Sequence, residues 1–481
     1  MKKQNMKKGY RIERDSLGEK QVPAGAYYGA QTARAVENFP ISGVTARPEF
    51  IRATALIKKA AALANMDAGK LDRRRGRAIV HAAEEAAEGR WHEHFVVDVF
   101  QAGAGTSHNM NANEVFANRA IEILGGEKGD YAMVHPNDHV NMSQSTNDVF
   151  PTAMRIAALF AIADLMPVLE GLGKALETKG REFDGIIKSG RTHLQDAVPI
   201  RLGQEFSAYA VAVNKGYAAI RHEADRLLEL GIGGSAVGTG INTHPDYQKK
   251  IVAHLCKLTG LRLCGSKNLV ASMQSMSDFV SLSGSLRILA VELIRIANDL
   301  RLLSSGPTTG LAEIRLPAVQ PGSSIMPGKV NPSMAEALNM VGFQVIGNDT
   351  VITLAAQAGQ LELNVMMPVI NYNLLQSIHL LTHVVRVFTE KCVKGIVADE
   401  GRCRKLAERT LGLATILNPV IGYEAAARIA KESLASGRSI RDLVIEKGIL
   451  SKAGADKILN PYKMTSPWRA AGKPKHGKLG S

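Results

Sequence analysis

Four polar stretches hold the side chains able to do chemistry. They are Gly103-Ala104-Gly105-Thr106-Ser107, Gln144-Ser145-Thr146-Asn147-Asp148, Gly190-Arg191-Thr192-His193-Leu194-Gln195-Asp196, and the run from Gly322 to Pro332, GSSIMPGKVNP. Each is rich in glycine or small polar residues and lies between segments of helical periodicity. Ser, Thr and Asn ahead of a helix cap its first N–H groups, so capping is the simplest role for Ser145, Thr146 and Thr192. If the stretches converge, the same hydroxyls, amides and helix N-termini form a pocket for an anion, and a dicarboxylate suits it.

Other chemistries fail on spacing. Between Gly322 and Gly328-Lys329 stand five residues where a phosphate loop has four, and Val330 replaces its Ser or Thr. Gly231-Ile232-Gly233-Gly234-Ser235-Ala236 has the glycines of a dinucleotide fingerprint, but a helical pattern from Asp225 to Leu230 precedes it instead of a strand. His92 and His94 form no metal set. The four cysteines, Cys256, Cys264, Cys392 and Cys403, form no CxxC pair, which fits reduced thiols in the cytoplasm.

The elements that must position these stretches read as helices. Only 5% of the 481 residues are aromatic, while 45% are hydrophobic and 22% charged, a globular composition that favours helix over a β-rich fold. Proline is absent from Asp246 to Gly306. Within that gap Phe279, Leu282, Leu286, Leu289, Leu293, Ile296, Leu300 and Leu303 alternate spacings of three and four, the stripe of a long bundled helix. A second stripe runs through Phe206, Ala210, Val213, Tyr217, Ile220, Ala224 and Leu227. Shorter helices are expected at Glu49–Ala68, Arg75–Glu88, Glu424–Glu432 and Ile440–Lys447. The expected division is an N-terminal helical domain (1–145), a central long-helix domain (146–398), a small C-terminal helical domain (399–468) and a basic disordered tail (469–481).

The net charge of +14 is concentrated at the ends: +4 over the first 20 residues and +5 over the last 21. That distribution fits solvated tails and not a nucleic-acid surface. The most apolar run, Ile156 to Leu172, carries Asp164 and Glu170, so no membrane span is expected.

The run Gly322 to Pro332 resembles the signature of the aspartase/fumarase superfamily. Ala102 to Asn113 (AGAGTSHNMNAN), Asn141 to Thr152 (NMSQSTNDVFPT), Gly190 to Glu205 and Gly238 to Asn242 agree with it in order and spacing, and the resemblance covers roughly residues 10–468. GAGTS at 103–107, QSTND at 144–148, GQLELNVM at 359–366 and ILNPYKM at 458–464 look like the aspartate ammonia-lyase branch. Class II fumarate hydratases, the alternative, usually show GTQ and QSSND.

The resemblance implies an all-α fold with a central long-helix bundle, assembled as a homotetramer with a twenty-helix core and active sites built from three subunits. It implies elimination of ammonia from L-aspartate to give fumarate, with no metal and no cofactor. Ser323 would be the general base on a mobile loop. Thr106, Ser145, Thr146 and Ser324 would hold the β-carboxylate, and Lys329 and Asn331 the α-carboxylate. Asn147, Thr192 and His193 would surround the amino group, with Glu336 orienting His193. The sequence departs from that branch at Met367, at Thr308-Thr309 and at His108. Its His135-Pro136-Asn137-Asp138 is similar to the fumarase version.

Overall fold

The computed structural model describes residues 9–467; the basic tail expected at 469–481 lies outside the described residues, as do the first eight. The chain opens with an antiparallel hairpin, β1 (Tyr10–Asp15) and β2 (Gly18–Pro23). Four helices follow: α1 (Ala30–Asn38), α2 (Pro48–Asp67), α3 (Arg73–Ala87) and α4 (Thr106–Ile123). Helices α2 and α3 match the expected segments to within two residues. Pro48 starts α2 at a position where no N–H is needed, and the Asp72 side chain caps α3 by accepting from Arg75 N. Alanines such as Ala55, Ala82, Ala112 and Ala117 fill much of their shared core, which lets the helices approach closely.

The long elements come next: α5 (Thr146–Glu182), the hairpin β3 (Ile187–Thr192) and β4 (Gln195–Arg201), and α6 (Leu202–Asp225). They continue with α7 (Tyr247–Thr259), α8 (Leu269–Gln274), α9 (Ser277–Leu303), α10 (Ser333–Gln357) and α11 (Met367–Lys391). Helices α12 (Glu400–Arg409), α13 (Asn418–Ile421), α14 (Tyr423–Ser436), α15 (Ile440–Glu446) and α16 (Lys452–Ile458) end the chain. Leu417, Ile429, Leu443 and Val444 centre a separate small core there. An apolar window of α5 is long enough to cross a bilayer, yet 56% of it is buried in the protein's own packing, as in the core helix of a folded protein.

Two compact units emerge, each made of three stretches of chain. One comprises residues 1–167, 216–291 and 341–383, the other 168–215, 292–340 and 384–481. Every stretch boundary falls inside one of the long helices α5, α6, α9, α10 and α11.

All eight residues of the α9 stripe are buried, from Phe279 to Leu303. The stripe is therefore satisfied by the chain's own packing, as expected for a long bundled helix. A different apolar row stays exposed on α10: Met340, Phe343, Val351 and Leu354.

Candidate active site

The first unit holds four of the expected residues, at two helix N-termini. Thr106 is the first residue of α4 and Ser145 precedes α5, whose first residues are Thr146 and Asn147. The turn into α4 takes Ala104 to φ 60° and Gly105 to φ 85°. Gly105 also lies against the Phe150 ring, where a Cβ has no room, so both the backbone and the packing demand glycine. Ser145 caps α5 as its residue type suggested, accepting from Asn147 N at 3.2 Å. The two N-termini are tied together: Asn109, one turn into α4, donates through Nδ2 to Thr146 Oγ1 at 3.0 Å.

Beneath α5, the Gly231–Ala236 run finds its purpose. Asp148 is wholly buried and accepts from Gly233 N and Ser235 N, both at 3.0 Å, and from Ser145 N at 2.9 Å. Burial raises its pKa to about 6 against the pull of these donors. Asn147 Nδ2 donates to Ala236 O at 2.7 Å, and its Oδ1 has no donor among the described residues. The glycine run is thus a backbone pad that fixes the start of α5. One detail differs from expectation: α6 ends at Asp225, and Glu229-Leu230 pairs as a short parallel bridge with Cys264-Gly265. No helix begins at the glycines, since α7 starts only at Tyr247, and the dinucleotide reading stays excluded.

The second unit holds the other seven residues, on a hairpin, a loop and the first turn of α10. The stretch 190–196, read from sequence only as a polar connection, forms the tip of the β3–β4 hairpin. His193 (φ 57°) and Leu194 (φ 59°) are its two turn residues, in a left-handed conformation usually left to Asn and Gly. This backbone cost lifts the His193 ring and the Thr192 side chain to the surface. Just below the tip the hairpin is anchored by Arg191, which forks onto the buried Glu313.

The second half of the Gly322–Pro332 loop, from Pro327 onward, lines a cavity of about 610 Å³ with Arg301, Arg315 and neighbouring residues. Ser323 Oγ accepts two backbone N–H groups, from Met326 at 3.0 Å and Ile325 at 3.2 Å. Asn331 Nδ2 donates to Gly322 O at 2.6 Å and pins the two ends of the loop together. Ser324 and Lys329 are exposed, and Glu336 sits in the first turn of α10. Among the described residues, the side chains of His193 and Glu336 do not hydrogen-bond each other.

Residues 18–347 match a family model described as lyase, and residues 413–466 match the fumarase C C-terminus. The chain belongs to the aspartase/fumarase superfamily of lyases. It is 54% identical to the aspartate ammonia-lyase of Bacillus subtilis, over 96% of this chain and 98% of that one. It is also 51% identical to a class II fumarate hydratase of Halobacterium salinarum, again over 96% and 98%. Among solved structures, a fumarate lyase:delta crystallin from Brucella melitensis superposes with a TM-score of 0.92 at 52% identity, covering 95% of this chain and 100% of that one.

The lyase also carries a polar stripe that sequence reading overlooked. Thr54, Lys58 and Asn65 lie on the buried face of α2. Thr54 Oγ1 meets His108 Nε2 at 3.1 Å, and Asn65 meets Met142 O and Ser143 Oγ. His108, a departure from the aspartase pattern, is a core residue stacked on Phe50, and burial holds its pKa down at about 3. The available signal was the 54, 58, 65 spacing, which places all three on one helical face otherwise filled by alanine and isoleucine.

Proposed function

We propose that this lyase is an aspartate ammonia-lyase, catalysing the reversible elimination of ammonia from L-aspartate to give fumarate. The observation that carries the reading is at Ser323, whose Oγ accepts two backbone N–H groups on an exposed loop. A serine hydroxyl is a poor base, and two fixed donors stabilise its alkoxide more than its alcohol. The alkoxide takes a proton from the substrate's β-carbon, and the electron pair moves into the adjacent carboxylate to give an aci-carboxylate dianion. As the C–N bond breaks, that pair becomes the C=C bond of fumarate. The amino group enters as ammonium and leaves as ammonia.

Thr106, Ser145, Thr146 and Ser324 hold the β-carboxylate and donate to it as its charge grows. The positive ends of α4 and α5 favour the same charge. Lys329 and Asn331 hold the α-carboxylate. Asn147 offers its Oδ1 to the ammonium, beside Thr192 and His193, and Glu336 orients His193. A complete site draws these residues from three copies of a cytoplasmic homotetramer, a state supported by the exposed row Met340, Phe343, Val351 and Leu354 on α10.

The second reading is a class II fumarate hydratase, favoured by the Halobacterium relative and by the His135–Asp138 segment. The deciding experiment supplies purified protein with L-aspartate or L-malate separately and follows fumarate by ultraviolet absorbance. Fumarate from aspartate is expected; fumarate from malate alone overturns the proposal.

A further inference from the structure

We propose that Lys58 is a positioning residue for the substrate carboxylate: acting through the Asn109 side chain, it fixes Thr146 as a hydrogen-bond donor and places a buried positive charge behind that hydroxyl. This rests on the reading that Thr146 holds a carboxylate.

The geometry runs in one direction. Lys58 is fully buried on α2, and its Nζ donates to Asn109 Oδ1 at 2.8 Å and Asn141 Oδ1 at 2.9 Å. An ammonium has only hydrogens to offer, so both amides must turn their oxygens toward it. Asn109 Nδ2 is thereby aimed at Thr146 Oγ1, 3.0 Å away. With that lone pair occupied, the Thr146 hydrogen points elsewhere, and it has no acceptor among the described residues. As the first residue of α5, Thr146 also lacks the preceding helical carbonyl to which a mid-helix threonine donates. The outcome is a hydroxyl locked as a donor.

The charge balance points the same way. A buried ammonium normally sits against a carboxylate, because isolation from water is costly. Lys58 instead contacts two neutral amides. Asp148 acts on it electrostatically, but the Asp148 oxygens are held by the N–H groups of Ser145, Gly233 and Ser235. His108, the other titratable neighbour, is neutral. Burial accordingly lowers the Lys58 pKa to about 7. A bound carboxylate at Thr146 adds a second counter-charge to that of Asp148.

The test uses Asn109→Asp, which keeps the shape and gives Lys58 a direct ion pair, so folding is preserved. The new carboxylate oxygen facing Thr146 reverses the bond: Thr146 must donate to it and no longer to substrate. Titration calorimetry with succinate, an unreactive dicarboxylate, is run beside steady-state kinetics on aspartate. The expected result is at least a tenfold weaker succinate Kd and a matching rise in aspartate KM, with an unchanged or higher Tm. In a Thr146→Val background the same substitution should change the succinate Kd less than threefold. Wild-type succinate affinity in Asn109→Asp overturns the inference, and so does a full effect that persists without the Thr146 hydroxyl, since that is charge repulsion alone. Lys58→Met should weaken succinate similarly. If the wild type binds succinate in this Asn109-dependent way yet makes no fumarate from aspartate, the positioning role stands and the proposed reaction falls.

Discussion

Arg191 grips Glu313 through two parallel hydrogen bonds, Nη1 to Oε2 at 2.9 Å and Nη2 to Oε1 at 3.0 Å. Glu313 has no exposed surface, and Lys188 Nζ stands 3.4 Å from the same carboxylate. The fork sits one residue before Thr192 and two before the strained His193, so it holds the β3 strand directly beneath a tip that pays a backbone cost. Glu313→Gln keeps the shape and removes the charge that two cations share. Breaking a buried pair from one side costs about 3–5 kcal/mol. A clear fall in Tm is expected, together with lower turnover as the tip loosens. Thermal melts and kinetics that match the wild type would show that the fork does not position the hairpin.

Ser323→Ala removes the oxygen that receives the Ile325 and Met326 N–H groups. Turnover on aspartate should fall by roughly two to four orders of magnitude, the usual range for a lost general base, while KM stays within a fewfold. Near-normal turnover in the purified variant assigns proton abstraction to another group.

Lys329 probes charge at the loop's far end. Its ammonium is assigned to the α-carboxylate, present in substrate, transition state and product alike. Lys329→Met should therefore raise the aspartate KM roughly ten- to hundredfold and lower turnover as well. Lys329→Arg should recover little, because a planar fork does not replace a compact ammonium. A folded Met variant with an ordinary KM takes Lys329 out of the site.

Glu85 governs acid stability away from the site. It accepts from Arg119 Nε at 2.6 Å and Nη2 at 2.9 Å and from Trp91 Nε1 at 3.0 Å, and the Arg119 bonds lower its pKa to about 2. A carboxyl whose folded pKa lies below its unfolded value of 4.5 stabilises the fold above that value. The contribution, at most about 3 kcal/mol, drains away as pH falls toward 2. Glu85→Gln should melt well below wild type at neutral pH, and the gap should close between pH 4.5 and 2. A gap independent of pH would mean that charge at Glu85 is irrelevant.

Legibility in the sequence followed the range of the interaction. The α9 stripe was readable because helical periodicity is local, and Ser145 was readable as a cap because capping spans two residues. The His193-Leu194 turn was not, since neither residue announces a left-handed backbone and only the distant Glu313 anchors the strands. Lys58 was hidden for a related reason. The 54, 58, 65 spacing could place Lys58 on the buried face of α2, but its partners Asn109 and Asn141 lie 51 and 83 residues away, beyond any local pattern. The roles of the glycines at 231–234 likewise depend on Asp148, far upstream.

The interleaving of the two units constrains how the protein is made. Neither unit is a continuous piece of chain, and the first closes only with the stretch ending at His383. A ribosome must therefore release most of the polypeptide before either unit has all its parts. Truncations for expression should keep α11 intact, because the boundary between the last stretches of the two units lies within it.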